Sequence, residues 1–216
     1  MTFIVPPCQE PLTELYRDSE LVVVIKPAGL LSVPGRPPND KDSAHARLQA
    51  IEPETRVVHR LDMSTSGLMV FGLNADSHRE LSRQFQDREV EKGYIAEVWG
   101  MPEQESGEIC LPLICDWPNR PRQMVDHELG KRALTRYRLM ASDSAHGRVW
   151  LEPVTGRSHQ LRVHMAELGH PILGCEFYAH DEAKAASERL HLHASLLIFK
   201  HPTTGETMKF ESQPSF

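Results

Sequence analysis

The stretch that decides the fold is HRLDMSTSGLMVF, residues 59–71. Residues 68–71 form a short, continuously apolar run, which is typical of a strand buried on both faces rather than of a surface helix. The Ser-Thr-Ser-Gly sequence before it, residues 64–67, predicts a turn. Arg60 and Asp62 therefore lie at the edge of a rigid strand, a position from which reactive groups can be presented.

The composition is that of an ordinary globular protein. The 216 residues are 40% hydrophobic and 25% charged, enough to bury a full core as one domain. No apolar run reaches the length of a membrane span, and residues 1–9 lack the regions of a signal peptide, so we expect a cytoplasmic protein with no membrane partner. The four cysteines show no C-x-x-C spacing, which predicts reduced thiols.

The charge distribution gives mixed indications about a nucleic-acid partner. The net charge of −6 argues against one, because nucleic-acid binders usually carry a basic surface. One segment is nevertheless locally basic, and its cations are Arg120, Arg122, Lys131, Arg132, Arg136 and Arg138. Two interpretations stay open for these residues: solvated charges on loops and strands, or a cationic binding face.

The sequence DWPNRPR, residues 116–122, contains two prolines and predicts a stiff loop without regular structure. Trp117 with Arg120 and Arg122 is the composition of a surface on which bases stack. It is also the composition of a loop that anchors one aromatic side chain in the core.

Alternating and helical patterns predict the remaining elements. Strands are expected at residues 21–25, 90–99, 132–140, 148–153, 192–199 and 207–210, and helices at 44–51, 75–85 and 158–169. Tyr94 falls among small and apolar neighbours, so a core residue with a satisfied hydroxyl is its first interpretation. Ser158 and Gly169 have the residue types of a helix N-cap and terminator. Because Arg162 opposes the helix macrodipole, we expect it to have an anionic partner.

The residues exclude several familiar chemistries. None of the twelve histidines falls in H-E-x-x-H, and His191 and His193 have no third ligand at a recognisable spacing, so we expect no metal site. A G-x-S-x-G elbow is also absent from the sequence. Asp62, Tyr94 and Arg162 remain, a set suited to acid, base or nucleophilic work without a cofactor.

Four blocks in order resemble the RluA family of pseudouridine synthases, and together with flanking matches they cover nearly the whole chain. The blocks are HRLD with TSGL (59–62 and 65–68), KGY (92–94), GRSHQLRVH (156–164) and GHPILG (169–174). The resemblance implies an α/β fold of α+β type. Such a fold has a mixed, largely antiparallel central sheet, flanking helices and a catalytic cleft, formed here by residues 1–216 as a single catalytic domain.

The resemblance also implies roles for individual residues. Asp62 would be the nucleophile that isomerises uridine to its C-glycoside, with Arg162 as counter-ion and Tyr94 stacking on the uracil and moving a proton. Arg60 would fill the stack vacated by a flipped uridine, and His59 would orient the turn. Leu192 is a candidate wall of the uracil pocket, although core packing would explain it equally well.

The partners follow from the same resemblance. GLLSVPGR (29–36) and DWPNRP (116–121) resemble members with dual specificity, which implies 23S rRNA and tRNA stem-loops as substrates. Nothing in the sequence indicates an obligate dimer, so we expect a monomer. Larger relatives carry an N-terminal domain like that of ribosomal protein S4; a strand predicted at residue 21 leaves RNA recognition to the catalytic domain. Cys175 replaces an aspartate often found in the family. A non-catalytic RNA-binding module and a histidine-metal hydrolase are the alternatives.

Overall fold

The computed structural model describes residues 7–37, 40–142 and 145–216. Most of residues 1–9, which were predicted to lack the regions of a signal peptide, lie outside the described residues. The chain divides into two compact units, Met1–Lys92 with His193–Ser215 and Gly93–Leu192 with residue 216. The single catalytic domain over 1–216 stays a prediction. Within the described ranges, no helix combines the length and apolar character needed to cross a membrane.

The first unit is built around a buried strand. Its elements are β1 (Thr13–Arg17), β2 (Leu21–Lys26), α1 (Ala44–Gln49), β3 (Arg56–Val57), β4 (Ser66–Gly72), α2 (Ala75–Gln86), most of β11 (Leu192–Lys200), and β12 (Thr207–Glu211). Strand β4 pairs antiparallel with β2 and β3 and parallel with β11. All seven residues of β4 are buried, which confirms the predicted strand covered on both faces.

Helix α2 packs against β4 through one apolar face. The Asn74 side chain caps the helix by accepting a hydrogen bond from the Ser77 backbone N–H. Leu81 is fully buried in the same cluster as Leu68 of β4, whereas Arg83 faces outward and pairs with Glu80 at 2.8 Å. The helix predicted at residues 75–85 is confirmed.

The second unit consists of antiparallel strands and two helices, of which α3 is held by buried polar side chains. Its elements are most of β5 (Glu91–Trp99), β6 (Ser106–Ile109), β7 (Leu113–Cys115), β8 (Gln123–Val125), β9 (Thr135–Ser142), β10 (His146–Pro153), α3 (Gln160–Glu167) and α4 (Asp181–Ala185). The pairs β5–β10, β10–β9, β9–β6 and β7–β8 are all antiparallel. Together with the parallel β4–β11 pair of the first unit, this confirms a mixed, largely antiparallel fold with helices.

Gly93 of β5 lets an aromatic ring lie directly on the strand. A Cβ added at residue 93 would come within 1.9 Å of Cζ2 of Trp150, its diagonal neighbour on β10. The Trp150 indole N–H donates to Glu152 at 2.8 Å, which fixes the ring in this position. The glycine of the KGY block therefore has a steric cause within the second unit.

Helix α3 begins differently from its predicted start. His159, not Ser158, is the N-cap residue; its φ is +53°, and its side chain makes no capping bond. The Gln160 side chain bonds to residues that precede the helix, because its Oε1 accepts from the Arg157 N–H at 3.0 Å and from the Thr155 hydroxyl at 2.7 Å. Its Nε2 donates to the Leu134 carbonyl and to the Thr135 hydroxyl of β9, which anchors the start of the helix to this strand. The predicted terminator, Gly169, is confirmed by a φ of +91° at the helix end.

Candidate active site

The Asp62 turn, residues 61–65 of the first unit, is held on both sides of the carboxylate. The Thr65 N–H donates to the Asp62 carbonyl at 3.1 Å, which closes the turn. Before Asp62, the buried Ser32 hydroxyl accepts from the Leu61 N–H at 3.0 Å and donates to the Leu61 carbonyl at 2.7 Å. The half-buried Asp62 side chain therefore projects from a backbone whose polar groups are already bonded.

A buried lysine anchors the other side of the same turn. Lys26 is 0% exposed, and its ammonium donates to the carbonyls of Pro27, Leu30 and Met63 at 2.8, 2.7 and 3.1 Å. Burial lowers the pKa of Lys26 to about 7, and the negative charge of Asp62 acts in the opposite direction. This ammonium ties the residue that follows Asp62 to the end of strand β2.

His59 has a structural environment within the first unit. Its Nε2 accepts from the Val70 N–H at 3.1 Å, and its ring stacks on Phe85 with centroids 4.4 Å apart. Burial, together with the positive charge of Lys92, lowers the pKa of His59 to about 3. The neutral ring thus links β4 to α2, whereas the neighbouring Arg60 is exposed.

Strand β5 presents Tyr94 on the face of the second unit that packs against α3. Tyr94 is aligned with Leu151 of β10, and Ala96 is aligned with Val149. The Tyr94 ring is half-buried and packs against that core. Leu192 is 3% exposed in the same cluster, which is the packing alternative foreseen for it.

Arg162 lies inside the second unit and has the anionic contact that its helix position requires. Its side chain is 1% exposed, and Nη2 lies 3.0 Å from Oε1 of Glu176. Its Nε donates to Sγ of the buried Cys175 at 3.4 Å, so the thiol occupies a hydrogen-bonding position beside the guanidinium. The guanidinium carbon also lies 5.2 Å from the Phe177 ring centroid and 5.4 Å from that of Tyr178.

The β7–β8 hairpin, residues 113–125 of the second unit, displays the predicted stacking residues. Trp117 is 65% exposed, which rules out the alternative that it is anchored in the core. The Arg120 guanidinium lies 3.2 Å from the Trp117 ring centroid, and Arg122 is exposed beside them. A single 3₁₀ turn at Trp117–Asn119 interrupts the predicted irregular loop, because Asp116 accepts hydrogen bonds from the Asn119 backbone and side chain.

The histidines considered for a metal are engaged in protein hydrogen bonds. His191 lies 2.8 Å from Oε2 of Glu97, and His193 bonds to the hydroxyls of Ser66 and Ser212. In the part of the chain that the structure describes, no three His, Cys, Asp or Glu side chains form a group able to hold a metal ion. The four cysteines are free thiols.

The amino-acid sequence matches the model of a known protein family. The family model described as RNA pseudouridylate synthase matches residues 20–167, which include the Asp62 turn, Tyr94 and Arg162. The chain belongs to the RNA pseudouridylate synthase family. It is therefore an isomerase that forms pseudouridine in RNA, in agreement with the enzyme predicted from the four blocks and not with either alternative.

Individual relatives sharpen this result. Dual-specificity RNA pseudouridine synthase RluA of Yersinia pestis is 55% identical over 203 residues, covering 94% of this chain and 98% of the relative. RluA of Escherichia coli (strain K12) is 54% identical over 213 residues, or 97% of each chain. Among solved structures, human RNA pseudouridylate synthase domain containing 1 is 28% identical with a TM-score of 0.81, over 99% of this chain and 87% of that one.

Several positioning residues are not apparent from the sequence blocks. Lys26 and Ser32 lie far from Asp62 along the chain, yet they hold its turn through backbone carbonyls and N–H groups, which leave no side-chain signature. Glu176 leaves a clearer signal, because Arg162 near a helix start requires an anion and Glu176 lies two residues after the end of the GHPILG block. Tyr178, two residues further on, is the fourth such residue.

Proposed function

We propose that this enzyme converts specific uridines to pseudouridine in two RNA classes, a 23S rRNA stem-loop and the anticodon stem-loop of tRNA. The support is the dual specificity carried in the names of relatives that are 53–55% identical over nearly the full chain. The segments 29–36 and 116–121, which resemble dual-specificity members, add to it. The enzyme acts as a monomer and uses no cofactor or metal.

Asp62 is the nucleophile in this proposal. The observation that carries it is the geometry of the Asp62 turn, whose backbone groups are bonded to Ser32, Lys26 and Thr65 and whose carboxylate is half-buried. A nucleophile works best when its position is fixed before substrate binds, since its alignment then costs no further entropy. Uracil must detach from the sugar, rotate and reattach through carbon. Asp62, in its anionic form, generates or stabilises the intermediate in which uracil is detached.

Tyr94 and Arg162 complete the chemistry by virtue of the matching blocks. Tyr94 stacks on the uracil and moves the proton that changes place during isomerisation. Arg162 serves as counter-ion to the catalytic carboxylate, and its contacts with Glu176 and Cys175 hold the guanidinium in one orientation. Leu192 contributes apolar surface beside Tyr94 in the second unit.

RNA binding involves two exposed groups of residues. A paired uridine is inaccessible within its stack, so the enzyme flips it out at a cost of about a few kcal/mol. Arg60 fills the space, because it is exposed next to a turn and its guanidinium can stack on bases. His59 supports that turn from within. Trp117, Arg120 and Arg122 of the β7–β8 hairpin bind bases and phosphates of the stem-loop.

The deciding experiment replaces Asp62 by Asn and measures both pseudouridine formation and RNA binding. We expect a loss of product of at least about a thousandfold, because the amide is no nucleophile, with stem-loop affinity within about twofold. Asp76→Asn, an exposed carboxylate on α2, is the matched control and should behave as wild type. Product formed by Asp62→Asn at a comparable rate would exclude Asp62 as nucleophile.

The same assay tests Arg60 and the choice of RNA. Arg60→Ala should reduce turnover about tenfold on a stem-loop and much less on a linear oligonucleotide, since only the former leaves a stack to fill. Equal losses on the two substrates would count against that role. Mapping pseudouridine in total RNA from cells lacking the protein should show loss at one 23S rRNA site and one tRNA site; loss in a single class would reject dual specificity.

A further inference from the structure

The hydroxyl of Tyr178 joins three segments of the second unit. The Gln123 N–H of β8 donates to this hydroxyl at 2.8 Å, and the hydroxyl lies 2.6 Å from Nδ1 of His159 at the start of α3. Tyr178 itself follows the GHPILG block after Cys175, Glu176 and Phe177. One oxygen atom therefore connects the RNA-binding hairpin, the helix that carries Arg162, and the loop that holds Glu176.

The direction of the Gln123 hydrogen bond is fixed by chemistry. The backbone N–H of Gln123 is only a donor, so it occupies a lone pair of the tyrosine oxygen. The Tyr178 hydroxyl and Nδ1 of His159 share a hydrogen bond 2.6 Å long, in which the donor is set by the tautomer of the ring. His159 has a left-handed backbone, with φ of +53°, a conformation that a non-glycine residue keeps only when its surroundings support it. The Tyr178 bond, with the stacked Phe177 ring at 5.7 Å, supplies that support.

The Tyr178 ring contacts the same two functional regions. Its centroid lies 5.4 Å from the Arg162 guanidinium carbon and 5.6 Å from that of Arg122 in the hairpin. The ring also packs on the cluster formed by Leu113 at the base of the hairpin and Val163 of α3. The roles of the hydroxyl and the ring can be separated by mutation. Phenylalanine at residue 178 keeps the ring contacts and loses the hydrogen bonds to Gln123 and His159.

We propose that Tyr178 is a positioning residue that sets the orientation of the β7–β8 hairpin relative to the first turn of α3, and thereby the strength of stem-loop binding. The inference rests on the proposed function, in which the hairpin contacts RNA. Its specific content is that the hydroxyl acts through Gln123 and His159. Tyr178 touches no reacting atom in this scheme, so its removal affects substrate binding more than the chemical step.

The test is Tyr178→Phe, assayed for kcat and KM on a stem-loop and on a linear oligonucleotide too short to reach the hairpin. Losing the acceptor of one backbone N–H should raise KM for the stem-loop about five- to tenfold, with kcat within about twofold. KM for the linear oligonucleotide should stay unchanged. Tyr137→Phe is the matched control, because it removes the hydroxyl of a buried tyrosine on β9 of the same unit.

A double-mutant cycle separates positioning from general destabilisation. If Tyr178 acts through the hairpin, Tyr178→Phe and Arg122→Ala should weaken stem-loop binding by less together than the sum of their separate effects. A purely structural role predicts additive effects and equal changes for both RNA substrates, and either result would overturn the inference. Thermal unfolding of Tyr178→Phe and Tyr137→Phe shows whether each variant is folded at the assay temperature.

Failure of the inference can be told apart from failure of the proposed function. If wild-type enzyme forms pseudouridine and Arg122→Ala weakens stem-loop binding, but Tyr178→Phe behaves as Tyr137→Phe, the inference alone is rejected. If Arg122→Ala binds RNA as tightly as wild type, the hairpin role is wrong and the inference falls with it. Product from Asp62→Asn would instead reject the proposed nucleophile and leave the binding result for Tyr178 to be judged by itself.

Discussion

The Asp62 turn and the β7–β8 hairpin represent two ways of holding a loop. The turn is anchored by buried groups, with Lys26 and Ser32 bonded to its backbone on either side of the carboxylate. The hairpin exposes its tip and is tied to the rest of its unit by short strands, an apolar base and the Tyr178 hydroxyl. The difference teaches that a reacting group needs a fixed backbone, whereas residues that contact a large, shaped RNA need exposed side chains on a supported loop.

The largest expected effect follows from removing the Lys26 ammonium, which anchors the Asp62 turn. Lys26→Met keeps an apolar stem of similar length but leaves the carbonyls of Pro27, Leu30 and Met63 without their donor. We expect kcat to fall about a hundredfold, because displacement of a catalytic group by about 1 Å has effects of this size. RNA affinity should change by less than about twofold, because the hairpin is untouched.

Lys209→Met, an exposed lysine of β12 paired with Glu211, is the control and should keep full activity. Circular dichroism establishes whether the Lys26 variant is folded. Ser32→Ala provides a second, milder change on the other side of Asp62, with an expected loss of about tenfold. Normal kcat in both folded variants would show that the turn keeps its shape without these anchors.

A second effect concerns stability in acid and involves His59 next to the turn. The pKa of His59 is about 3 in the folded protein and about 6.5 in the unfolded chain, so the unfolded chain binds more protons between these values. The contribution of the neutral His59 ring to the free energy of unfolding is fully present above about pH 6.5. It falls by about 1.4 kcal/mol for each pH unit below that, until the pH reaches about 3. Protonation of Nε2 also removes the acceptor of the Val70 N–H.

Urea unfolding between pH 7 and pH 4 measures this effect. His59→Gln, which cannot titrate, should lose stability less steeply with falling pH than wild type, even if it starts from a lower value. His127→Gln, an exposed histidine beyond the hairpin, should follow the wild-type slope. Parallel curves for wild type and His59→Gln would mean that burial of the ring does not control acid stability.

The smallest expected effect concerns the β7–β8 hairpin and its contribution to RNA binding. Arg122→Ala should weaken stem-loop binding several-fold at low salt and reduce the slope of log affinity against log salt by about one, the value for one lost phosphate contact. Arg120→Ala should reduce it as well, with an added loss of the Trp117 stack. Arg79→Ala, an exposed arginine of α2, is the control. An unchanged slope in both hairpin variants would mean that neither arginine touches phosphate.

The sequence predicted most of what depends on local pattern. The continuous apolar run of β4, the spacing of α2 and the alternation of β5 each follow from residues close in the chain, and each is present. The short strands β1, β6, β7 and β8 were not foreseen, because three to five residues carry too little periodicity to distinguish a strand from a loop. Pairing with a longer neighbour, as β6 pairs with β9, decides their structure.

The candidate site was predictable to the extent that a family block marks it. Asp62, Tyr94 and Arg162 lie in such blocks, and their roles are still predictions. Ser158 was wrongly expected to cap α3, because the helix begins at Gln160, whose side chain is held by Thr155 and β9, and His159 is the N-cap residue. A contact between residues distant in sequence cannot be read from local propensity. The same reason explains why Lys26, Ser32 and Tyr178 were overlooked.

The indole of Trp150 lying on Gly93 makes these two positions one steric unit. A methyl group at residue 93 would occupy the space of the ring, so the glycine can be replaced only if the residue at 150 becomes smaller or turns away. The two positions are therefore expected to change together rather than singly over the course of evolution. A relative with alanine at the first position should carry a smaller side chain at the second, and the neighbouring tyrosine would keep its place on β5.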